Sequence, residues 1–183
     1  MKVEATRIPD VKLITPKVFG DERGFFMETW NQAAYREHGL PTEFVQDNHS
    51  KSAHGTLRGL HCQLQQPQGK LVRVTQGAVF DVAVDLRRDS PTFGQWVGME
   101  LSAENHRIAW IPEGFAHGFY VTSETAEFLY KCTDFYAPGD EQSIRWDDPT
   151  LNIEWPIPAG ESPLVSGKDE QGVRFVDAQT YPL

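Results

Sequence analysis

The clearest alternation of apolar and polar positions lies in residues 79–86, where a period of two predicts a β-strand. One face of this strand carries Phe80, Val82, Val84 and Leu86, and the other carries Asp81, Ala83 and Asp85. Six other segments rich in β-branched and aromatic side chains also predict strands. They are residues 70–75, 96–101, 107–111, 118–122, 126–133 and 143–146. Short strands separated by glycine and proline are typical of an all-β sandwich or barrel.

Helical patterns are scarce in this chain. Residues 30–38 form the best candidate, because Gly39 follows where a helix C-terminus favours glycine. Residues 166–173 predict a second short helix with Ser166 as its N-cap. We therefore expect an all-β fold with a few short peripheral helices.

The organisation of the chain indicates one domain. A length of 183 residues corresponds to about one domain, and we find no internal repeat or long linker. The proline-rich segment 148–163 contains spaced apolar side chains, which predicts an ordered tail packed over the sheets. We therefore expect a single domain spanning residues 1–183.

The charge balance limits the partners of this protein. There are 17 Lys and Arg against 26 Asp and Glu, a formal net charge of −9. This argues against nucleic-acid binding and against a polybasic membrane surface. An anionic substrate would therefore need a local cluster of cationic side chains.

The cysteine count and the hydropathy indicate the compartment. The two cysteines, Cys62 and Cys132, are too few for a disulfide scaffold, and we expect reduced thiols. No apolar run approaches the roughly 20 residues of a membrane span, and the first residues lack the apolar stretch of a signal peptide. We expect a soluble, cytoplasmic protein without a membrane partner.

The densest group of reactive side chains is the segment G-T-L-R-G-L-H-C-Q, followed by Lys70. Strict alternation would put Arg58 and His61 on opposite faces of a strand, but Gly59 between them could form a β-bulge. A lone histidine is often a hydrogen-bonded core residue. Arginine, histidine and lysine together are costly to bury unless a ligand compensates them. The group therefore indicates a binding or catalytic site.

Three further segments carry reactive side chains whose simplest interpretation is structural. His117 lies in I-P-E-G-F-A-H-G-F between turn signals, and Tyr130 lies in F-L-Y-K-C-T-D-F-Y, where aromatic residues usually form core. Asp169 lies in S-G-K-D-E, where a carboxylate suits a helix start. Each gains a functional interpretation only together with the other reactive residues.

A metal site and a nucleotide motif are not expected. Metal-binding β-barrels use an H-x-H pair and a carboxylate, whereas His61 is followed by Cys62 and Gln63, and Lys70 stands where the carboxylate would be. Cys62 and His61 are adjacent on a strand, so they cannot readily form a nucleophile–base pair. The chain has no P-loop, dinucleotide fingerprint or serine elbow.

The remaining set of histidine, tyrosine, lysine and aspartate suits proton abstraction next to a carbonyl. A neutral histidine can take the proton while an aspartate orients it. A lysine ammonium can stabilise the enolate oxygen, and a tyrosine hydroxyl can return a proton from the opposite face. These residues could therefore form an epimerase that needs no cofactor.

Ordered motifs along almost the whole chain resemble the dTDP-4-dehydrorhamnose 3,5-epimerase family. They include D-E-R-G-F-F-M-E, V-Q-D-N-H-S, G-T-L-R-G-L-H-C-Q, Q-G-K-L-V-R-V, I-P-E-G-F-A-H-G-F and S-G-K-D. The resemblance implies a cupin-type jelly-roll β-barrel and a homodimer in which N-terminal strands cross to the partner. It also implies that dTDP-4-dehydro-6-deoxy-D-glucose is epimerised at C3 and C5 to dTDP-4-dehydro-L-rhamnose, without a cofactor, in dTDP-L-rhamnose biosynthesis.

The same resemblance implies roles for individual residues. His61 matches the proton acceptor, paired with Asp169, while Tyr130 matches the proton donor and Lys70 the enolate-stabilising lysine. The positions that surround substrate correspond to Arg23, Glu28, Gln46, Asp47, Asn48, Arg58, Lys70, His117, Glu141 and Lys168, and Tyr136 corresponds to the aromatic that stacks on thymine. Cys62 and Cys132 depart from the more usual residues, at positions that are not catalytic.

Other functions remain open at this point. The same residues could serve an epimerase that inverts one carbon, a binding module without turnover, or a metal-dependent enzyme of the same barrel fold.

Overall fold

A computed structural model describes residues 1–182 and consists almost entirely of β-strands. Within this range there are thirteen strands, two short α-helices and one 3₁₀ helix. The strands are β1 (Lys2–Ala5), β2 (Lys12–Thr15), β3 (Val18–Asp21), β4 (Gly24–Met27), β5 (Gln46–Ala53), β6 (Leu57–Gln63), β7 (Lys70–Gln76), β8 (Ala78–Asp85), β9 (Trp96–Ser102), β10 (Ile108–Ile111), β11 (Phe115–Val121), β12 (Thr125–Cys132) and β13 (Glu141–Ser143). The helices are α1 (Gln32–Glu37), α2 (Gly167–Glu170) and the 3₁₀ helix η1 (Phe175–Asp177).

Two antiparallel sheets form the body of the fold. The six-stranded sheet has the order β1-β2-β10-β7-β12-β5, and the five-stranded sheet has the order β13-β6-β11-β8-β9. Their inner faces share one apolar core, to which one sheet contributes Val72 and Phe128 and the other Ala83 and Phe119. Aromatic and β-branched side chains on two facing sheets stabilise such a sandwich by burying apolar area. The predicted all-β jelly roll is therefore confirmed.

The outer faces of both sheets are covered by other parts of the chain. Leu151, Ile153 and Trp155 of the proline-rich tail pack on the outer face of the five-stranded sheet, together with Tyr181 near the C-terminus. This matches the predicted ordered tail. Helix α1 and the residues after it cover the six-stranded sheet, largely through the buried Tyr35.

Both predicted helices are present but shorter than expected. The Asn31 side chain accepts hydrogen bonds from the first turn of α1, and Gly39 has a φ of +67° just after the helix ends. Ser166 caps α2, and its hydroxyl accepts a hydrogen bond from the Asp169 N–H. Helix α1 therefore ends just before the predicted glycine, and α2 begins directly after the predicted N-cap, but both are shorter than the predicted spans.

Strand prediction was incomplete in the polar parts of the chain. The strand predicted at residues 143–146 instead lies at Glu141–Ser143 as β13, because these polar residues pair with β6. Strands β1 to β5 were not predicted. β5 is almost wholly polar, and it forms because it pairs with β12 along its full length, a tertiary effect that outweighs intrinsic propensity.

Strands β3 and β4 form a separate two-stranded arm with a strongly apolar surface. Phe19, Phe25 and Phe26 on this arm are 53%, 60% and 70% exposed. Large apolar side chains grouped on a surface often mark a protein–protein contact. No helix in the part of the chain described is long and apolar enough to cross a membrane.

Candidate active site

A β-bulge in β6 directs His61 to the inner face of the five-stranded sheet. His117 pairs with His61 and Phe119 pairs with Arg58, so β6 has one residue more than β11 between these pairs. Gly59 at the bulge has a φ of +121°, and a Cβ there would lie 2.5 Å from the Gly118 Cα. The predicted bulge is therefore present, and glycine is required because no other residue fits.

His61 is held by the carboxylate of Asp169, which comes from helix α2. The distance from His61 Nε2 to Asp169 Oδ1 is 2.5 Å, and Asp169 is only 2% exposed. Burial raises the pKa of Asp169, but the hydrogen bond and charge of His61, together with the hydrogen bonds of Ser166 and the Gly59 N–H, bring it below its usual value. The carboxylate therefore stays ionised and fixes the orientation of the imidazole. His61 Nδ1 lies 3.9 Å from Glu141 Oε1.

The six-stranded sheet contributes Lys70 and Tyr130. Strand β12 pairs Tyr130 with Val72, and Cys132 with Lys70, which puts all four on one face with Asn48 of β5. Phe128 and Tyr130 pack against the core shared by both sheets. This face is therefore the inner one, opposite His61.

Burial shifts the pKa values of Tyr130 and Lys70 in opposite directions. Burial raises the pKa of the Tyr130 hydroxyl, so the phenol keeps its proton and can act as a donor. Burial lowers the pKa of the Lys70 ammonium, while Cys132, Cys62, Glu141 and Asp81 oppose that change. An ammonium at this poorly hydrated position would stabilise an oxyanion strongly.

Glu141 connects several of the residues implicated by the sequence. Its Oε2 accepts hydrogen bonds from Lys168 Nζ at 2.6 Å and from the Tyr136 hydroxyl at 2.9 Å. The Tyr136 backbone N–H donates to Gln46 Oε1 at 2.8 Å, and Gln46 Nε2 donates to Asn48 Oδ1 at 3.1 Å. Burial raises the pKa of Glu141, but the bonds from Lys168 and Tyr136 and the charge of His61 outweigh it.

His117 forms a second histidine–aspartate pair beside the first. His117 Nε2 lies 2.8 Å from Asp81 Oδ2, and the ring stacks on Phe128 with a centroid distance of 6.1 Å. Asp81 was not among the predicted site residues. In the sequence, Asp81 could have been recognised as a carboxylate on a strand face that also carries apolar side chains.

Three of the predicted substrate residues lie apart from this cluster in the single chain. Arg23 pairs with Asp21 on the arm, and Glu28 accepts a hydrogen bond from Asn31. Asp47 pairs with Lys131 at 2.8 Å and lies beside a cavity on the outer face of the six-stranded sheet. Arg58 is exposed and donates to Ser52 Oγ at 3.1 Å, and its charge acts on Tyr130 of the cluster.

The two cysteines are free and buried. Cys62 packs with the outer cluster of the five-stranded sheet, on the side opposite His61, as strand alternation predicts. Among residues 1–182, no group of three or more His, Cys, Asp or Glu side chains is arranged to hold a metal ion.

Comparisons with known proteins agree over nearly the whole chain. The family model for dTDP-4-dehydrorhamnose 3,5-epimerase matches residues 5–177. A dTDP-4-dehydrorhamnose 3,5-epimerase of Pseudomonas aeruginosa is 63% identical over 183 residues, covering 100% of both chains. One from Shigella flexneri is 60% identical over 183 residues, covering 99% of each chain.

A solved structure gives the same result. The dTDP-6-deoxy-D-glucose-3,5-epimerase of Legionella pneumophila, in complex with dTDP-4-keto-L-rhamnose, superposes with a TM-score of 0.93 at 54% identity, covering 97% of this chain and 94% of that one. Fold and relatives together define a cupin-like jelly-roll enzyme that isomerises carbohydrate. The chain belongs to the dTDP-4-dehydrorhamnose 3,5-epimerase family.

Proposed function

We propose that this protein converts dTDP-4-dehydro-6-deoxy-D-glucose to dTDP-4-dehydro-L-rhamnose by epimerisation at C3 and C5, as a step of dTDP-L-rhamnose biosynthesis. The observation that carries the proposal is the arrangement of the His61–Asp169 pair on one sheet and Tyr130 with Lys70 on the other. A base and an acid on opposite sides of one space suit inversion at carbon.

His61 is the proton acceptor in this proposal. Asp169 accepts the Nε2–H, which leaves the lone pair on Nδ1 free to remove the proton next to the 4-keto group. The same carboxylate stabilises the imidazolium that forms. A positioned base of this kind contributes about 10²–10⁴-fold to the rate.

Lys70 and Tyr130 complete the reaction. The Lys70 ammonium stabilises the negative oxygen of the enolate, which contributes about 10²–10³-fold for each preorganised donor. Tyr130 then returns a proton to the face opposite His61, which inverts the carbon. The raised pKa of Tyr130 supports a donor role because the hydroxyl remains protonated.

The nucleotide part of the substrate has a set of suitable partners. Lys168 and Arg58 are cations suited to a diphosphate, and the half-exposed Tyr136 ring offers a stacking surface for thymine. Gln46, Asn48, His117 and Glu141 would bind the sugar and ribose through hydrogen bonds. These cations offset the net charge of −9 locally.

The arm supports a homodimer in which Arg23 and Glu28 serve the partner's site. Both lie on or just after the arm, whose exposed phenylalanines are typical of a protein–protein contact. Neither residue forms a bond to the site of its own chain. We further propose a single domain over residues 1–183, a cytoplasmic location and a reaction without cofactor or metal.

Incubation with the 4-keto sugar nucleotide in deuterium oxide, followed by proton NMR, tests the function directly. We expect deuterium at C3 and C5 and the L-rhamno product. The His61→Ala variant should incorporate none, and unimpaired exchange in it would refute the assigned base. Inversion at one carbon only would indicate a monoepimerase, binding without exchange a binding module, and loss of activity with chelator a metal enzyme.

A further inference from the structure

The ring of Tyr136 is carried by an irregular loop and not by a strand. Strand β12 ends at Cys132 and β13 begins at Glu141, and the β12–β13 loop (residues 133–140) between them contains no helix or strand. Tyr136 is 51% exposed on this loop. Surface loops are usually more mobile than the elements that they connect. A ring that supports a nucleobase from such a loop therefore needs an anchor inside the fold.

Gln63, the last residue of β6, is such an anchor. It is only 3% exposed, and its amide bonds to backbone groups of two loops. Its Nε2 donates to the Phe135 carbonyl at 3.1 Å, and its Oε1 accepts from the Ala137 N–H at 2.9 Å. The second Nε2 hydrogen is donated to the Gln66 carbonyl at 2.7 Å. The Gln63 amide therefore holds the chain on both sides of Tyr136.

These bonds fix the backbone of Tyr136 itself. The peptide group before its Cα is bound through its carbonyl to Gln63 and through its N–H to Gln46. The peptide group after its Cα is bound through its N–H to Gln63. Because each peptide group is planar, holding both of them fixes φ and ψ of Tyr136, and with them the direction of its Cα–Cβ bond. Gln63 thus sets the direction in which the ring leaves the loop.

The strand that carries Gln63 also carries the proposed base. Gln63 lies two residues after His61, so both side chains are on the same face of β6. Strand β13 pairs Glu141 with Gln63, and Glu141 accepts the hydrogen bond of the Tyr136 hydroxyl at 2.9 Å. Strand β6 therefore places the base and the support of the ring relative to each other.

We propose that Gln63 is a positioning residue for the nucleobase, which holds the Tyr136 ring in its stacking position before the nucleotide binds. This inference rests on the proposed function, in which Tyr136 stacks on thymine. A preorganised loop improves affinity because less conformational entropy is lost on binding. Gln63 therefore acts on the affinity for the nucleotide and not on proton transfer at His61.

The Gln63→Met variant tests this, because methionine is similar in size but lacks the amide group. We expect the Kd for dTDP, measured by calorimetry, to rise about 5- to 10-fold, and the KM of the sugar nucleotide to rise with it, while kcat changes less than about threefold. Gln142→Met is the matched control. The Gln142 amide also forms two bonds to backbone, but at Gln179, and this variant should bind dTDP as the wild type does.

Pyrophosphate separates the ring from the rest of the site, since it carries no base to stack. We expect its Kd, measured by displacement of dTDP, to be the same in Gln63→Met and in the wild type. An equal loss of affinity for pyrophosphate and dTDP would mean that Gln63 supports the whole site, which would overturn the proposal.

A double-variant comparison shows whether Gln63 acts through the ring. Tyr136→Ala should raise the Kd for dTDP about 5- to 150-fold, the usual loss for one stacking partner. Adding Gln63→Met to Tyr136→Ala should then cause no further loss, because the ring that Gln63 positions is already absent. A further loss of about fivefold in the double variant would contradict the proposal.

A measurement without any ligand is independent of the proposed function. In protein labelled with 3-fluorotyrosine, the Tyr136 signal is assigned by its loss in Tyr136→Phe and observed by ¹⁹F NMR. We expect its chemical shift in Gln63→Met to move towards that of an unfolded chain and its line to narrow, with no change in Gln142→Met. Gln63→Glu, which keeps an acceptor for the Ala137 N–H but loses both donors, is measured in parallel. A wild-type shift and line width in either Gln63 variant overturns the proposal.

Discussion

The Nε2 atom of His61 lies 2.5 Å from Oδ1 of Asp169, although 108 residues separate the two along the chain. His61 belongs to the five-stranded sheet and Asp169 to a four-residue helix near the C-terminus. His61 is therefore oriented by its carboxylate partner only when the five-stranded sheet and the segment that carries α2 are both folded. Its geometry depends on this tertiary contact as well as on the local bulge at Gly59.

The ionised state of Asp169 predicts a pH-dependent stability. The pKa of Asp169 in the folded chain is below its usual value, while in the unfolded chain it is about 3.9. The carboxylate therefore contributes stability that is fully present above about pH 5 and is lost as the pH falls through the folded value. Asp169→Asn should be less stable than the wild type at pH 7, and the difference should shrink below about pH 4.

Urea unfolding of both proteins between pH 3 and pH 7 measures this difference. Asp89→Asn, which changes an exposed carboxylate, is the control and should follow the wild type throughout. A stability difference for Asp169→Asn that stays constant across this range would contradict the linkage.

The role of Tyr130 predicts that exchange and inversion can be separated. In Tyr130→Phe, His61 can still remove and return a proton, so deuterium exchange should persist while the rate of inversion falls about 10²–10⁴-fold. Proton NMR in deuterium oxide measures both in one sample. Tyr120→Phe, another buried tyrosine, should invert normally. Normal inversion in Tyr130→Phe would make Tyr130 a core aromatic only.

The bulge at Gly59 predicts a strong effect of one added methyl group. In Gly59→Ala the new Cβ would lie 2.5 Å from Gly118 Cα and 2.7 Å from the His117 carbonyl oxygen, in a backbone conformation with φ of +121°. We expect a loss of about 2 kcal/mol or more in the free energy of unfolding. Gly139→Ala, whose Cβ would meet nothing within 4 Å, should differ little from the wild type in the same urea experiment.

The exposed phenylalanines of the arm predict how the proposed dimer is held together. Phe26 is 70% exposed in the single chain, and Phe26→Asp would place a charge in the contact. We expect monomers by light scattering, with an unchanged circular dichroism spectrum. Val176→Asp, which alters a residue that is 60% exposed elsewhere, should leave the dimer intact. A dimeric Phe26→Asp protein would remove the arm from the interface.

The fold was largely predictable where burial produces a simple pattern. Successive side chains of β8 point alternately into two apolar clusters, and Gly39 follows the end of α1 as expected. Strand β5 was missed because its residues are polar, and its structure depends on pairing with β12. Polar strands carry no periodic apolar signal, so sequence patterns cannot find them.

The candidate site was predictable in its residue types and less so in its geometry. Local chemistry indicated a base, an acid and a lysine, and the resemblance to a family supplied their roles. The structure brings His61 and Asp169 together and puts Tyr130 on the facing sheet. Asp81 was missed as a site residue, because its pairing with His117 becomes visible only when its surroundings are known.

The position of Asp169 after the barrel strands also has a consequence for protein synthesis. A ribosome completes both sheets before it reaches helix α2, and domains begin to fold from the N-terminal side during translation. A nascent chain could thus form the barrel with His61 in place while still lacking its carboxylate partner. The proposed base would then gain its carboxylate partner only after α2 has been translated, so chains truncated before α2 would contain the barrel strands without an oriented His61.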